Sequence, residues 1–202
     1  MKKYIWIGVV VILVLLLGTS GCSTYNNMVT LDQQVEQAWA TVEVQYQRRM
    51  DLIPNMVATV KGYAEHESST YEKVTEARAG LSQAYNDAKA NENVDPNNQQ
   101  SLDNFNQAQQ SLNRALSIYV NAVREAYPDL KADTQFTNLE TVLEGTENRI
   151  ATERTRYTEI VTTYNVTVRR FPANIFAGIF GFSAKPQFKA DAEAARAPQV
   201  QF

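Results

Sequence analysis

Cysteine and histidine are nearly absent from this chain. Cys22 is the only cysteine among 202 residues, so no disulfide can form within the chain and its stability must come from packing. His66 is the only histidine, and Thr70 stands four residues on, where a zinc-protease helix needs a second one. The one thiol lies in the N-terminal segment, far from any base. We therefore expect no metal and no cofactor.

Glycine and proline are also scarce, with eight and six residues. The sequence contains neither a glycine-rich phosphate loop nor a Gly-x-Ser-x-Gly turn, and we predict that the protein is not an enzyme. Its formal net charge of −3 provides no basic field for nucleic acid. The shortage of glycine and proline, together with abundant Ala, Gln, Asn, Glu and Thr, favours helices over sheets.

The longest apolar run lies at the N-terminus. Lys2 and Lys3 precede an unbroken apolar run from Ile5 to Leu17, and small residues lead from there to Cys22, which is the layout of an export signal. Two interpretations stay open: a signal cleaved before a lipidated Cys22, or an uncleaved transmembrane helix of roughly 28 Å. Because the lysines keep the N-terminus in the cytoplasm, both interpretations place the bulk on the extracytoplasmic, periplasmic side of a bacterial inner or outer membrane.

Apolar residues recur every three or four positions after the leader, which predicts long amphipathic helices. The first stripe comprises Val35, Trp39, Val42, Tyr46, Met50, Ile53, Val57, Val60 and Ala64. Pro54 lies inside this stripe, and we predict a kinked but continuous helix there. Ser69 and Glu72 have the spacing of a capping box and offer an alternative helix boundary. The stripe continues through Tyr71, Val74, Ala77, Leu81 and Ala84.

A stretch of turn-forming residues, 91–98, precedes two further helices. We predict that Asp95 caps the first of them, with Pro96 in its first turn, and that Pro128 ends it. Its apolar positions are Leu102, Phe105, Ala108, Leu112, Ala115, Tyr119, Val123 and Ala126. Asp133 is predicted to start the last long helix. The near-heptad positions of that helix are Phe136, Leu139, Leu143, Thr146, Ile150, Glu153, Tyr157, Ile160, Tyr164, Val168 and Phe171, of which the two polar ones are interpreted as satisfied or rim positions.

Long amphipathic helices with short connections predict an all-α fold. We expect an elongated antiparallel bundle of four helices, preceded by the membrane anchor or lipoprotein signal. The predicted domains are 1–22 for the leader, 23–188 for the bundle with a C-terminal aromatic segment, and 189–202 for a disordered tail.

Residue spacings across the chain resemble those of LemA proteins. The matching residues are Tyr25-Asn26, Leu31-Asp32, Ala38-Trp39-Ala40, 44–49, 51–55, 60–67, Tyr164-Asn165, Phe171-Pro172 and Gly181-Phe182. The resemblance implies a membrane-anchored, mainly helical domain built around a bundle. It implies no established enzymatic activity and a loose connection to membrane organisation.

Two exposed arginine pairs are predicted, Arg48-Arg49 and Arg169-Arg170. Each is interpreted either as a solvated helix face or as a docking site for an acidic partner or lipid phosphates. The aromatic residues Trp39, Tyr46 and Tyr63 are instead assigned to the core.

An uncharged aromatic stretch follows the last long helix. Pro172 is predicted to open a short helix there, since its missing N–H costs nothing in a first turn. One face of this helix carries Ile175, Phe176, Ile179 and Phe180, with Phe182 beyond it. This face either packs on the bundle end as a cap or forms an apolar patch that meets a bilayer or another subunit.

These features lead to two hypotheses of different classes. The first is a non-enzymatic, membrane-anchored helical scaffold that assembles with itself or with an envelope protein. The second is an accessory to a membrane protease or stress-sensing system, which recognises its client through Arg48, Arg49 and Asp51. If the aromatic stretch lies at the same end as Cys22, the protein would have two contacts with the bilayer.

Overall fold

The computed structural model describes residues 2–66 and 72–189, with the backbone alone for 2–20, 65 and 66. These residues form five α-helices and one 3-10 helix, and no strand occurs among them. The prediction of an all-α fold is confirmed. The helices are α1 (Lys2–His66), α2 (Glu72–Ala90), α3 (Gln99–Ala126), the 3-10 helix (Pro128–Ala132), α4 (Thr134–Arg169) and α5 (Ala173–Phe180).

The helix count exceeds the predicted four because the aromatic stretch forms α5 in addition to four long helices. Helix α1 continues through Pro54, as predicted. It ends at His66, and α2 begins at Glu72; Ser69, the predicted capping residue, lies outside the described residues.

Helix α3 begins later in the chain than predicted, and its N-cap is a different residue. Asp95 and Pro96 both precede the helix, and its N-cap is Asn98, whose side-chain oxygen accepts a hydrogen bond from the N–H of Gln100 at 2.9 Å. The carboxylate of Asp95 instead accepts from the N–H of Asn97 at 2.9 Å. Asp95 therefore stabilises a turn in the connection, a role that aspartate shares with capping and that helical spacing alone does not separate from it.

The connection between α3 and α4 agrees with the prediction. Helix α3 ends before Pro128, which opens the 3-10 helix. Asp133 precedes α4, and its carboxylate accepts from the N–H of Phe136 at 2.9 Å, as expected of a capping aspartate. Helix α4 ends at Arg169, so Phe171 was wrongly assigned to its apolar stripe; that side chain is 79% exposed.

The chain divides into two compact units. Among the described residues, the first unit combines 2–41 with Thr155–Lys185, and the second combines 42–66 and 72–154 with 186–189. The domain limits predicted from the sequence depend on segments that the structure does not describe, and they stay predictions.

Each unit has its own apolar interior. In the first unit the buried side chains include Met28, Val35, Trp39, Tyr157, Val161, Tyr164 and Val168, and the rings of Trp39 and Tyr157 meet edge to face at 5.6 Å. In the second unit the core includes Met50, Ile53, Met56, Val60, Leu81, Leu112, Leu116, Tyr119, Val123, Tyr127, Leu130, Phe136 and Leu143. Most positions of the predicted stripes are buried, because helical periodicity sets one face of each helix toward its neighbours.

Among the residues whose side chains are described, no helix combines the length and the apolarity needed to cross a membrane. The apolar run 5–17, on which the predicted leader depends, lies outside that set of side chains.

Candidate functional site

The candidate site is built around α5 in the first unit. Gly181 ends this helix with a left-handed backbone, φ 80°, which glycine adopts without steric cost. The N–H of Phe182 then donates to the carbonyl of Ala177 at 2.9 Å. This is the common way for a helix to stop and for the chain to reverse its direction.

The most buried side chains of α5 are its two alanines. Ala173 and Ala177, four residues apart, are 5% and 3% exposed. By contrast, Ile175, Ile179 and Phe180 are 52%, 69% and 50% exposed. The interpretation of this apolar face as a packed cap is therefore wrong for these three side chains. Alanine allows the helix backbone to lie close to its neighbours, which leaves the larger residues outside.

Helix α5 lies beside Cys22. Gly21 is buried under the ring of Phe176, and a Cβ atom on Gly21 would be only 2.9 Å from Cε1 of that ring. Tyr25, one turn further along α1, has its ring centroid 4.8 Å from that of Phe180. Cys22 itself is exposed and unbonded. The aromatic stretch and the predicted lipidation site thus lie next to each other in the first unit.

A polar clamp holds the segment after α5 in place. The side-chain amide of Asn165 donates to the carbonyl of Lys185 at 2.9 Å and accepts from its N–H at 2.8 Å. The ammonium group of Lys185 forms an ion pair with Asp32 at 2.7 Å and lies 5.5 Å from the ring centre of Tyr164. Burial, with a smaller contribution from Asp32, raises the pKa of Tyr164 to about 12. These contacts join α1, α4 and the segment after α5.

The residues of this clamp and of the aromatic contacts include several on which the LemA resemblance rests. Asp32, Tyr164 and Asn165 hold Lys185, while Tyr25 and Phe182 have ring centroids 5.8 Å apart. The resemblance therefore includes residues that hold α5 and the segment after it against α1.

We call the exposed group Phe171, Ile175, Ile179 and Phe180 the α5 patch. Phe176 and Phe182, which are also predicted contact residues, are half-buried. Arg169 and Arg170 immediately precede the patch and are both exposed. The predicted role of these side chains in membrane or partner contact stays a prediction.

The residues of the other predicted contact pair, Arg48 and Arg49, lie in different environments. Arg48 is exposed, whereas Arg49 is 2% exposed in the interior of the second unit, so the interpretation of both as a surface pair is wrong. One terminal nitrogen of Arg49 donates to Glu147 at 2.8 Å, and the other donates to the backbone and side-chain oxygens of Gln109. Asp51 is exposed and accepts from the Gln47 side chain at 2.9 Å.

Aromatic rings complete the surroundings of Arg49. Its guanidinium lies 5.2 Å from the ring centre of Tyr46, and that ring meets Phe105 edge to face at 4.8 Å. Burial raises the pKa of Tyr46, and the positive charges of Arg154 and Arg49 partly offset this effect. We call Arg49, Glu147, Gln109 and Tyr46 the Arg49 cluster.

The sequence does contain a signal for the burial of Arg49. Tyr46, Arg49, Met50 and Ile53 have the spacing i, i+3, i+4, i+7 of a single helix face. Gln109 and Glu147 come from two other helices, and no local pattern connects them with Arg49.

The remaining predicted positions agree with a structural role. Thr146 is 2% exposed, and its hydroxyl donates to the carbonyl of Val142 at 2.8 Å, which confirms that it is a satisfied polar position. Trp39 and Tyr46 are buried, and Tyr63 is half-buried against the core of the second unit. Among the described residues, no group of three or more His, Cys, Asp or Glu side chains is placed to hold a metal ion.

Comparison with known proteins gives a consistent result. The sequence model of the LemA family matches residues 38–202. Magnetosome proteins MamQ 2 and MamQ 1 of Paramagnetospirillum magneticum are each 26% identical to the chain over 176 residues, which is 82% of this chain and 64% of theirs. Magnetosome protein MamQ of Magnetospirillum gryphiswaldense is 25% identical over 174 residues, 81% of this chain and 64% of its own. The match thus spans somewhat under two thirds of the length of these relatives.

Proposed function

The chain belongs to the LemA family, and we propose that it is a non-enzymatic, membrane-anchored helical scaffold whose α5 patch rests on the bilayer interface. The observation that carries this proposal is the contact between the rings of Tyr25 and Phe180, whose centroids are 4.8 Å apart, which places α5 one helical turn from Cys22. An anchor at Cys22, whether lipid or helix, holds α5 close to the bilayer. The similarity to magnetosome proteins supports a membrane-associated role.

The exposed area of the patch supports a contact of moderate strength. Ile175, Ile179 and Phe180 are at least half exposed, so burying them in the interface would contribute roughly 1 kcal/mol each. A contact of that size would bind a membrane only weakly by itself. Because the anchor already holds the chain at the surface, the patch loses little further translational freedom on binding.

Photo-cross-linking from the patch tests the proposal. Ile179 is replaced by the photoreactive amino acid benzoylphenylalanine in the full chain, and native membranes are irradiated. We expect lipid adducts, identified by mass spectrometry, and adducts to a second copy where the scaffold assembles with itself. The matched control carries the same amino acid at Glu159, exposed on α4 in the same unit and roughly 15 Å before Arg169 along the helix. Equal lipid adducts at both positions, or none at either, would contradict the proposal.

The nature of the anchor is tested separately by the intact mass of the membrane-extracted protein. A mass that begins at Cys22 and includes lipid would establish a lipoprotein, and a full-length mass would establish an uncleaved helix. The proposed position of α5 at the membrane is compatible with both, since Cys22 adjoins the anchor in either case and the contact of Tyr25 with Phe180 is kept after a cleavage that removes Gly21.

The second hypothesis, an adaptor for a membrane protease or stress-sensing system, receives less support. It depended on a surface formed by Arg48, Arg49 and Asp51, and the guanidinium of Arg49 is bound inside the second unit. A single heterologous protein cross-linked from position 48, without any cross-link from position 179, would favour it over the scaffold.

A further inference from the structure

The surroundings of the α5 patch in the first unit have positive but almost no negative charge. No Asp or Glu occurs in 21–31 or in 160–185. Asp32, which follows directly, is paired with Lys185 at 2.7 Å, so these two charges offset each other. Arg169 and Arg170 are both exposed, and within the described part of the chain neither is paired with a carboxylate.

The two arginines are joined directly to the patch. The carbonyl of Arg170 accepts a hydrogen bond from the N–H of Asn174 at 2.9 Å, which connects the end of α4 to the first turn of α5. Phe171, the first patch residue, follows Arg170 and is 79% exposed. Apolar side chains are thus continuous with a pair of guanidinium groups, and no carboxylate lies between them.

We propose that this surface recognises anionic lipid, with Arg169 and Arg170 binding head-group phosphates while the α5 patch enters the acyl boundary. Guanidinium groups bind two phosphate oxygens at once, and interfacial helices combine a basic rim with an apolar face in this way. The inference rests on the proposed membrane contact and adds the chemistry of the lipid. An arginine in the last turn also stabilises a helix by interacting with the negative end of its dipole. That stabilisation does not depend on the charge of the lipid.

Reconstitution in vesicles of defined composition tests the inference. The full chain with benzoylphenylalanine at position 179 is placed in phosphatidylcholine vesicles, with or without on the order of 30% phosphatidylglycerol. We expect the yield of lipid adducts to be higher in the anionic vesicles. Each arginine near such a surface favours binding about five-fold, so Arg169→Gln with Arg170→Gln should remove most of the difference, as should 1 M salt.

A second variant separates local recognition from net charge. Arg48→Gln with Arg149→Gln removes two exposed positive charges from the second unit and should leave the adduct yield at position 179 unchanged. Equal adduct yields in neutral and anionic vesicles, or an equal loss in both double variants, would overturn the lipid selectivity while leaving the membrane contact intact. The absence of adducts in both kinds of vesicle would overturn the membrane contact as well. Circular dichroism of each variant checks that the helices are retained.

Discussion

The α5 patch and the Arg49 cluster depart from the usual distribution of side chains in opposite directions. In the first unit, Ile179 is 69% exposed while Ala173 and Ala177 occupy the interior. In the second unit, Arg49 is 2% exposed, although arginine is almost never fully buried unless it is paired. One region has apolar groups outside, and the other has a charge inside.

The Arg49 cluster and the α5 patch differ in whether their side chains find their partners within the chain. The charge of Arg49 is paired within the chain with Glu147, and two oxygens of Gln109 accept hydrogen bonds from the same guanidinium. The apolar side chains of the α5 patch have much of their surface in water. We infer that the Arg49 cluster acts on stability, whereas the patch acts through contact with something outside the chain.

The largest expected effect comes from breaking the Arg49 cluster. Arg49→Met should lower the free energy of unfolding by about 3 kcal/mol, because Glu147 and Gln109 lose a buried charged partner. Urea unfolding followed by circular dichroism measures this loss. The control Arg48→Met, one residue away and exposed, should change stability by less than about 0.5 kcal/mol. Equal small effects would show that the buried pair does not stabilise the second unit.

Releasing the polar clamp should have the next largest effect. Asn165→Ala removes two hydrogen bonds to Lys185 and should cost about 2 kcal/mol, with faster hydrogen exchange in α5. The control Asn138→Ala, at an exposed position of the same helix, makes the same change in helix propensity and should be neutral or slightly stabilising. Unchanged exchange of the α5 amides would mean that the clamp does not hold this helix.

Alkaline pH should weaken both units to a smaller extent. Burial raises the pKa of Tyr157 and Tyr164 in the first unit and of Tyr119 in the second to about 12. The unfolded chain loses these protons near pH 10, so the stability they contribute is complete below that pH and is lost as pH rises through about 12. At pH 11 the loss should be roughly 1 kcal/mol per phenol. Absorbance near 295 nm would follow the ionisation, and full ionisation by pH 11 in the folded protein would contradict the prediction.

The smallest effect on stability is expected at the α5 patch. Ile179→Ser should change the free energy of unfolding by less than about 0.5 kcal/mol, because the side chain is 69% exposed. Ile118→Ser, at a position 61% exposed in the second unit, is the matched control. The two variants should differ only in membrane-bound chains, where Ile179→Ser alone speeds hydrogen exchange in α5. A large loss of stability in water would assign the patch to the fold instead.

Much of the helical architecture was predictable from the sequence, because apolar spacing and capping residues are local signals. The helix through Pro54 and the capping Asp133 were both correctly identified. The N-cap at Asn98 was missed because Asp95 and Asn98 are both suitable capping residues and only the geometry of the connection separates them. The helical spacing places Arg49 on a buried face. Its partners Glu147 and Gln109 come from two distant segments, and no local pattern reveals these partners.

The orientation of α5 was the most consequential point left open. Ile175 and Ile179 lie on a different face from its alanines, and hydrophobicity alone favours burying the larger residues. The structure buries Ala173 and Ala177 instead. The close contact of Phe176 with Gly21 depends on the absence of a side chain there, and in the sequence that glycine stands within the predicted leader.

The depth of position 179 in the bilayer tests the central claim most directly. A fluorescent amino acid replaces Ile179 in the full chain, which is reconstituted in vesicles whose lipids carry bromine on their acyl chains. If the α5 patch rests on the interface beside the anchor, the bromolipids should quench this fluorophore strongly while aqueous iodide quenches it weakly. The same fluorophore at Glu159 should show the opposite pattern. Strong quenching by iodide at both positions, without quenching by bromolipids, would contradict the account.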